Sequence, residues 1–330
     1  MQRVLKYLTI VAKSSLLYYV LAGLILFTLV DRRTAYMMQM DSLKNYANYP
    51  LALTKAIEPY NRTKLAYTLR FYKVLDKIMP RLGRVDEIMA FCYYHLGDYR
   101  KAIQSYTKTL DASPSYTWTY YNLGIINARI RQYKKAAGYF EKFISQDIES
   151  VIKTVEREFP STLNQDEKKL FYAAGLNMLM RFYTSSYKLA LLCYYKEADF
   201  EKIIEIALPL LDNKLLPDRD FAFYFLGQAF QKSGDHHRAL RFFNKAHDMG
   251  LRHADMYDAL GHAWAALGQK KEATINFDTA KRLKKETEYR PYVEQNFVLP
   301  DVAFHPTTYI MPDLNTLFLK ILHLKLKAQP

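Results

Sequence analysis

A spacing of 34 residues constrains this chain more than any other feature. The stretch "GDYRKAIQSYTKTLDASPS" carries Ala102, Tyr106 and Pro114, and one step of 34 on stand Ala136 and Phe140. Near the other end "SGDHHRALRFFNKAHDMG" carries Gly234, Ala239, Phe243 and Ala246, and a further step reaches Gly268, Ala273, Phe277 and Ala280. A Leu-Gly pair precedes three of these stretches: Leu123-Gly124, Leu226-Gly227 and Leu260-Gly261. Small residues at Gly124, Ala136, Gly227, Ala239, Gly261 and Ala273 let two antiparallel helices approach closely. Large ones at Tyr106, Phe140, Phe243 and Phe277 fill the gap to the next pair. Each helix pair then keeps apolar surface that only a neighbouring pair can cover, so the units must stack.

A period of 34 with a Leu-Gly pair, a later Gly, then Ala, aromatic and Ala resembles the tetratricopeptide repeat (TPR) family. The resemblance covers roughly residues 65–285, strongly in two blocks and weakly between them. It implies an all-α fold, a right-handed helical solenoid. Clear repeats are expected at 83–116, 117–150, 220–253 and 254–287. A degenerate one is expected around 184–217, where Phe200 matches the aromatic after the turn (Tyr99, Tyr133) but Ile203 replaces the alanine. Upstream, "YTLRFYKVLDKIMP" reads as the second helix of a half-repeat closed by Pro80, while Pro59 opposes an uninterrupted helix before it. Residues 34–64 read as a linker.

The first 33 residues do not share the period. Ser14 to Val30 contains no charge, and its seventeen residues at about 1.5 Å each fall slightly short of a hydrocarbon core about 30 Å thick. The preceding "VLKYLTIVA" is mostly apolar and Lys13 can snorkel, so a span is feasible. A cleaved signal would need small residues at the cleavage site, which "FTLVDRR" does not offer. A lipoprotein signal would need a cysteine directly after the run, and the first is Cys92. A buried helix would have to hide every face. The expectation is a single-pass anchor over residues 1–33, entering the membrane through 14–30. Arg3, Lys6, Lys13 and the terminal amine outweigh Arg32 and Arg33 beside Asp31, which places the repeats outside the cytoplasm.

Signatures of catalysis are missing: no G-x-S-x-G elbow, no Walker loop, no dinucleotide glycine pattern and no H-E-x-x-H. His236, His237, His247, His253 and His262 lie near one another in sequence, but no cysteine or close carboxylate pair joins them at ligand spacing. The chain reads as a non-enzyme with no cofactor and no metal. Its net charge of +14 suits nucleic acid, an anionic surface or acidic proteins. The basic residues sit on helix faces such as "RQYKKAA" rather than in a long run, which makes nucleic acid the weaker choice. Cys92 and Cys193 both fall at inward positions of distant repeats and read as core thiols rather than a disulfide.

After Glu288 the sequence "YRPYVEQNFVLPDVAFHPTTYIMPD" has four prolines and no helical period. It reads as an extended segment laid against the solenoid, since its aromatics would otherwise be exposed. An amphipathic helix from Leu314 onward then caps the last repeat or lies on a membrane; capping is the expectation for this segment, 286–330.

By resemblance, partner proteins bind along the concave face built by first helices. The matching positions here include Phe91 and Tyr94, then Trp118, Tyr121 and Arg129, then Lys188 and Tyr195, then Phe221, Tyr224 and Lys232. Aromatics flanked by cations can grip a peptide through apolar anchors and acidic contacts. Glu87 and Phe91 stand where the chaperone-tail clamp of some TPR proteins has lysine and asparagine, so that ligand is not expected. The functional expectation is a membrane-tethered scaffold that binds protein segments to assemble a complex. The alternative is a substrate-recruiting subunit of a membrane enzyme complex.

Overall fold

The computed structural model describes residues 62–78, 85–112, 117–146, 165–211, 219–286 and 288–302. The apolar run at 14–30 and the helix expected from Leu314 lie outside these residues. Among the described residues no helix is long and apolar enough to cross a membrane.

Twelve helices are described: α1 (Arg62–Ile78), α2 (Val85–His95), α3 (Tyr99–Ala112), α4 (Thr117–Arg129), α5 (Tyr133–Ile144), α6 (Gln165–Lys196), α7 (Phe200–Leu210), α8 (Arg219–Lys232), α9 (His236–Asp248), α10 (Ala254–Ala266), α11 (Lys270–Glu286) and the short α12 (Tyr292–Asn296). Arg62–Val151 and Leu179–Phe304 form one compact unit, which carries every contact discussed below. Within it α2 packs on α3, α4 on α5, α8 on α9 and α10 on α11, and the pairs stack through α3 on α4 and α9 on α10. The chain between α5 and α7 departs from a plain repeat: α6 is 32 residues long and begins well before the first helix expected from about residue 184.

The small-to-large pattern has a direct physical cause. A Cβ added at Gly124 would sit 2.5 Å from Cε1 of Phe140; at Gly227, 2.5 Å from Phe243; at Gly261, 2.6 Å from Phe277. In each pair the aromatic ring of the second helix lies flat on the missing side chain of the first, and any larger residue would force the helices apart. Burial follows the same division of labour. All ten residues from Phe221 to Phe230 of α8 are buried, whereas α9 buries only Ala239, Leu240, Phe242, Phe243 and Ala246. α8 is enclosed by its neighbours, whereas α9 keeps one wet face.

The hairpin turns repeat as closely as the helices. The second residue after each first helix turns left-handed: Gly97, Arg131, Ala198, Gly234 and Gly268, with φ between 55° and 86°. In each turn that residue and the next donate back to the end of the first helix, as when Gly234 N–H reaches Gln231 O (3.1 Å) and Asp235 N–H reaches Phe230 O (2.9 Å). The next residue caps the second helix: Asp98, Asp199 and Asp235 accept from the backbone N–H of Lys101, Lys202 and Arg238. The unit around 184–217 therefore keeps the turn of its neighbours despite Ile203, which is fully buried where they carry alanine. Cys92 and Cys193 are buried free thiols, as expected, and burial pushes both up to about 12.

Candidate functional site

The face built by the first helices is not empty. The segment following α11 turns back and crosses it from the last pair towards the first. At the start, the Tyr289 hydroxyl donates to Asp255 of α10, and the Tyr292 backbone N–H donates to the other oxygen of that carboxylate at 2.8 Å. His253, which caps α10 by accepting the Asp255 N–H on Nδ1, lies with Nε2 3.2 Å from Arg290 O. A tautomer with its proton on Nε2 satisfies both contacts. Tyr292 is 6% exposed and packs edge-on against Tyr224 with ring centres 4.5 Å apart, with Phe221 and His253 also around it.

Further along, the Phe297 ring meets Tyr133 edge-on at 5.6 Å, and Lys196 Nζ stands 4.9 Å above it. Lys196 also lies over Tyr133, so one cation serves both rings. At the far end Asp301 accepts from Tyr94 Oη at 2.7 Å and pairs with Arg129 Nη2 at 3.2 Å. The same Nη2 lies 3.3 Å from Pro300 O. Arg129 stacks over the Tyr94 ring, and Val302 is 1% exposed. Burial, with Asp301 as acceptor, holds the Tyr94 phenol well above its ordinary range, so it remains a donor. Burial pushes His95 down to about 4; Asp301 opposes that shift and Arg129 adds to it. The arrangement holds a segment of polypeptide by two aromatic anchors, Tyr292 and Phe297, and the Asp301 carboxylate.

Residues 88–116 match the family model described as tetratricopeptide repeat. They are a TPR motif. The α4–α5, α8–α9 and α10–α11 pairs share its left-handed turn and carry a Gly–Phe contact at the positions where it has Ala90 and Tyr106. In sequence the chain is 25% identical over 266 residues to the protein CTR9 homolog of Arabidopsis thaliana, spanning 76% of this chain but only 23% of that protein. Among solved structures, MamA aligns at 19% identity and a TM-score of 0.43, covering 61% of this chain and 98% of that one. YrrB, titled a TPR protein with an unusual peptide-binding site, aligns at 15% identity and 0.45, covering 66% and 94%.

The residues read as a TPR groove divide into two groups. Tyr94, Arg129, Phe221 and Tyr224 touch the crossing segment. Lys188 lies over the Phe221 ring, Tyr195 packs on Phe200 and Phe225, and Lys232 is exposed. Trp118 and Tyr121, expected on an open face, are instead enclosed, at 2% and 0% exposure. Phe182 of α6 packs against both rings (5.0 and 4.7 Å), and Phe143 lies behind them. Phe91 is likewise buried, against His95. The expected extended character of the C-terminal segment is interrupted by α12, a single turn that seats Tyr292.

Asp255, His253 and Asp301 were not among the residues expected at the face. A weak signal for Asp301 is present: it is one of only three acids, with Glu294 and Asp313, in a stretch of prolines and aromatics within a chain of net charge +14.

Proposed function

We propose that this chain is a non-catalytic TPR scaffold whose first-helix face binds extended segments of partner proteins to assemble a complex. One observation carries the reading: that face already holds a polypeptide segment, residues 289–302, irregular on either side of the short α12, through aromatic anchors and the Tyr94–Arg129 pair. Aromatic and arginine side chains that close on a ligand in this way concentrate binding energy at a few positions. The contacts are spread over successive helix pairs, so ligands of different length can use different numbers of them.

The uncharged run from Ser14 to Val30 supports a tether that keeps the scaffold at a membrane, with the repeats outside the cytoplasm by the charge balance around that run. A reporter active only in the cytoplasm, fused after Pro330, is expected to be silent; activity reverses the orientation.

The binding role is tested by affinity capture of the full chain from native membranes, comparing wild type with a Tyr94→Phe/Arg129→Ala variant. The expected result is a specific partner held by wild type and lost by the variant at unchanged helicity. A partner held equally by both removes this face from the function. Capture of a catalytic subunit makes the chain the recruiting member of an enzyme complex.

A further inference from the structure

The Tyr94–Arg129 end of the face offers more than its present occupant uses. Asp301 reaches the guanidinium through Nη2 alone, while Arg129 Nε is buried with no hydrogen-bond partner among the described residues. His95 Nε2, on a ring 4.8 Å from that of Tyr94, is in the same state. A carboxylate lying side-on to an arginine takes Nε and one Nη together in two parallel charge-assisted bonds, a stronger and more directional contact than one. The segment falls one bond short of that arrangement.

The two halves of the segment are also held differently. Tyr289 to Tyr292 has both oxygens of Asp255 and a buried ring, whereas Arg129 and Asp301 are about a third exposed and Val298 is 71% exposed. Water reaches the ion pair that holds the second half, and the two contacts to Asp255 would keep the first half tethered if that pair opened. What the second half presents is a short pattern: an aromatic ring at Phe297, a carboxylate four residues on at Asp301, and a buried aliphatic side chain at Val302.

We propose that residues 297–302 are a built-in occupant that a partner protein's peptide of the same pattern displaces. The pattern is an aromatic residue, three residues, a carboxylate and an aliphatic residue. The incoming carboxylate lies side-on to Arg129 and uses both Nε and Nη2, its ring sits between Tyr133 and Lys196, and its aliphatic side chain replaces Val302. The net charge of +14 favours an acidic ligand on approach. This rests on the reading that the first-helix face binds protein segments, and adds which segments and against what competition. A tethered occupant acts at an effective concentration of the order of millimolar, so a free peptide of equal intrinsic affinity binds wild type many-fold more weakly than a chain whose occupant is disabled.

The probe is a fluorescent synthetic peptide of the sequence from Asn296 to Phe304, titrated into the full chain and read by anisotropy. Binding to a Phe297→Ala/Asp301→Ala chain is expected to be at least about tenfold tighter than to wild type. Adding Arg129→Ala to that chain is expected to weaken binding again by about tenfold or more, and a scrambled peptide is expected not to bind. Equal binding to wild type and the double variant overturns the proposal, as does binding indifferent to Arg129 or none to either chain. Should the variant fail to fold, amide exchange in wild type decides: saturating peptide is expected to speed exchange at 297–302, and unchanged exchange overturns displacement. A concentration-dependent wild-type dimer that Asp301→Ala dissolves would place the occupant on a second copy's face, and also overturns it. A partner captured through Arg129 while the peptide fails leaves the scaffold reading standing and removes only this inference.

Discussion

Gly227 lies in the middle of α8 with the Phe243 ring against its α-carbon, and replacing it by alanine sets two effects of opposite sign against each other. In a helix interior alanine is favoured over glycine by about 1 kcal/mol. Against this, the new Cβ would stand 2.5 Å from both Cδ1 and Cε1 of Phe243 and 2.9 Å from Cγ. Ordinary contact needs roughly another ångström, and Phe243 is fully buried with Tyr224 on one side. Overpacking of this kind costs about 1–3 kcal/mol, and three ring atoms inside contact distance put this site in the upper half of that range. The net expectation for Gly227→Ala is a loss of about 1–2 kcal/mol. Gly138 supplies the control. It sits inside α5 and has nothing within 4 Å of an added Cβ, so Gly138→Ala keeps the propensity gain alone and should stabilise by about 0.5–1 kcal/mol. Urea unfolding of the two variants beside wild type, followed by helicity, reads the difference. If both substitutions shift the midpoint in the same direction, the ring-on-glycine contact does not set the approach of the helices.

Three further outcomes rest on the turns, the packing and the burial described above. Arg131 and Ala198 occupy the left-handed turn position that glycine fills in three other hairpins; Arg131→Gly and Ala198→Gly should each raise stability by about 0.5–1 kcal/mol in urea unfolding, whereas Gly97→Ala should lower it by about 1 kcal/mol. Trp118→Ala or Tyr121→Ala should cost about 3–5 kcal/mol and loosen the packing of α4 against α6 rather than selectively remove a partner; a variant that keeps its melting temperature would put these rings back on an open face. His95 lies at about 4 in the folded chain against 6.5 unfolded, so between those values only the unfolded state takes up the proton, and stability present above pH 6.5 is lost as pH falls towards 4, by roughly 2–3 kcal/mol; His95→Gln should flatten that stretch of the stability–pH curve, and an unchanged slope refutes the assignment.

How much of this could be read from the sequence depends on how far apart the interacting residues stand. Gly124 and Phe140, or Gly227 and Phe243, are sixteen residues apart inside one hairpin, and the small–large pattern that marks them is repeated often enough to be seen. The turns at Arg131 and Ala198 were harder, because the glycine that signals a left-handed residue is missing and only the spacing to the next helix remains. Trp118 and Tyr121 failed for a different reason. Their repeat positions do face the first-helix side, but Phe182, from a long helix outside the 34-residue period, covers them; the helix formers of "DEKKLFYAAGLNMLMRF" signal a helix there but not which repeat it packs against. The crossing segment lies at the limit. Its prolines and aromatics told of an extended stretch that must be buried somewhere, yet the contact that seats it joins Arg129 to a residue 172 positions away. A pair of opposite charges at that separation has no local pattern to betray it. What makes it specific is three-dimensional: the Tyr94 hydroxyl and the Arg129 guanidinium, from two different repeats, converge on one carboxylate. Repetition thus makes the framework of such a chain legible, while its binding chemistry sits at the positions where the repeats stop being alike.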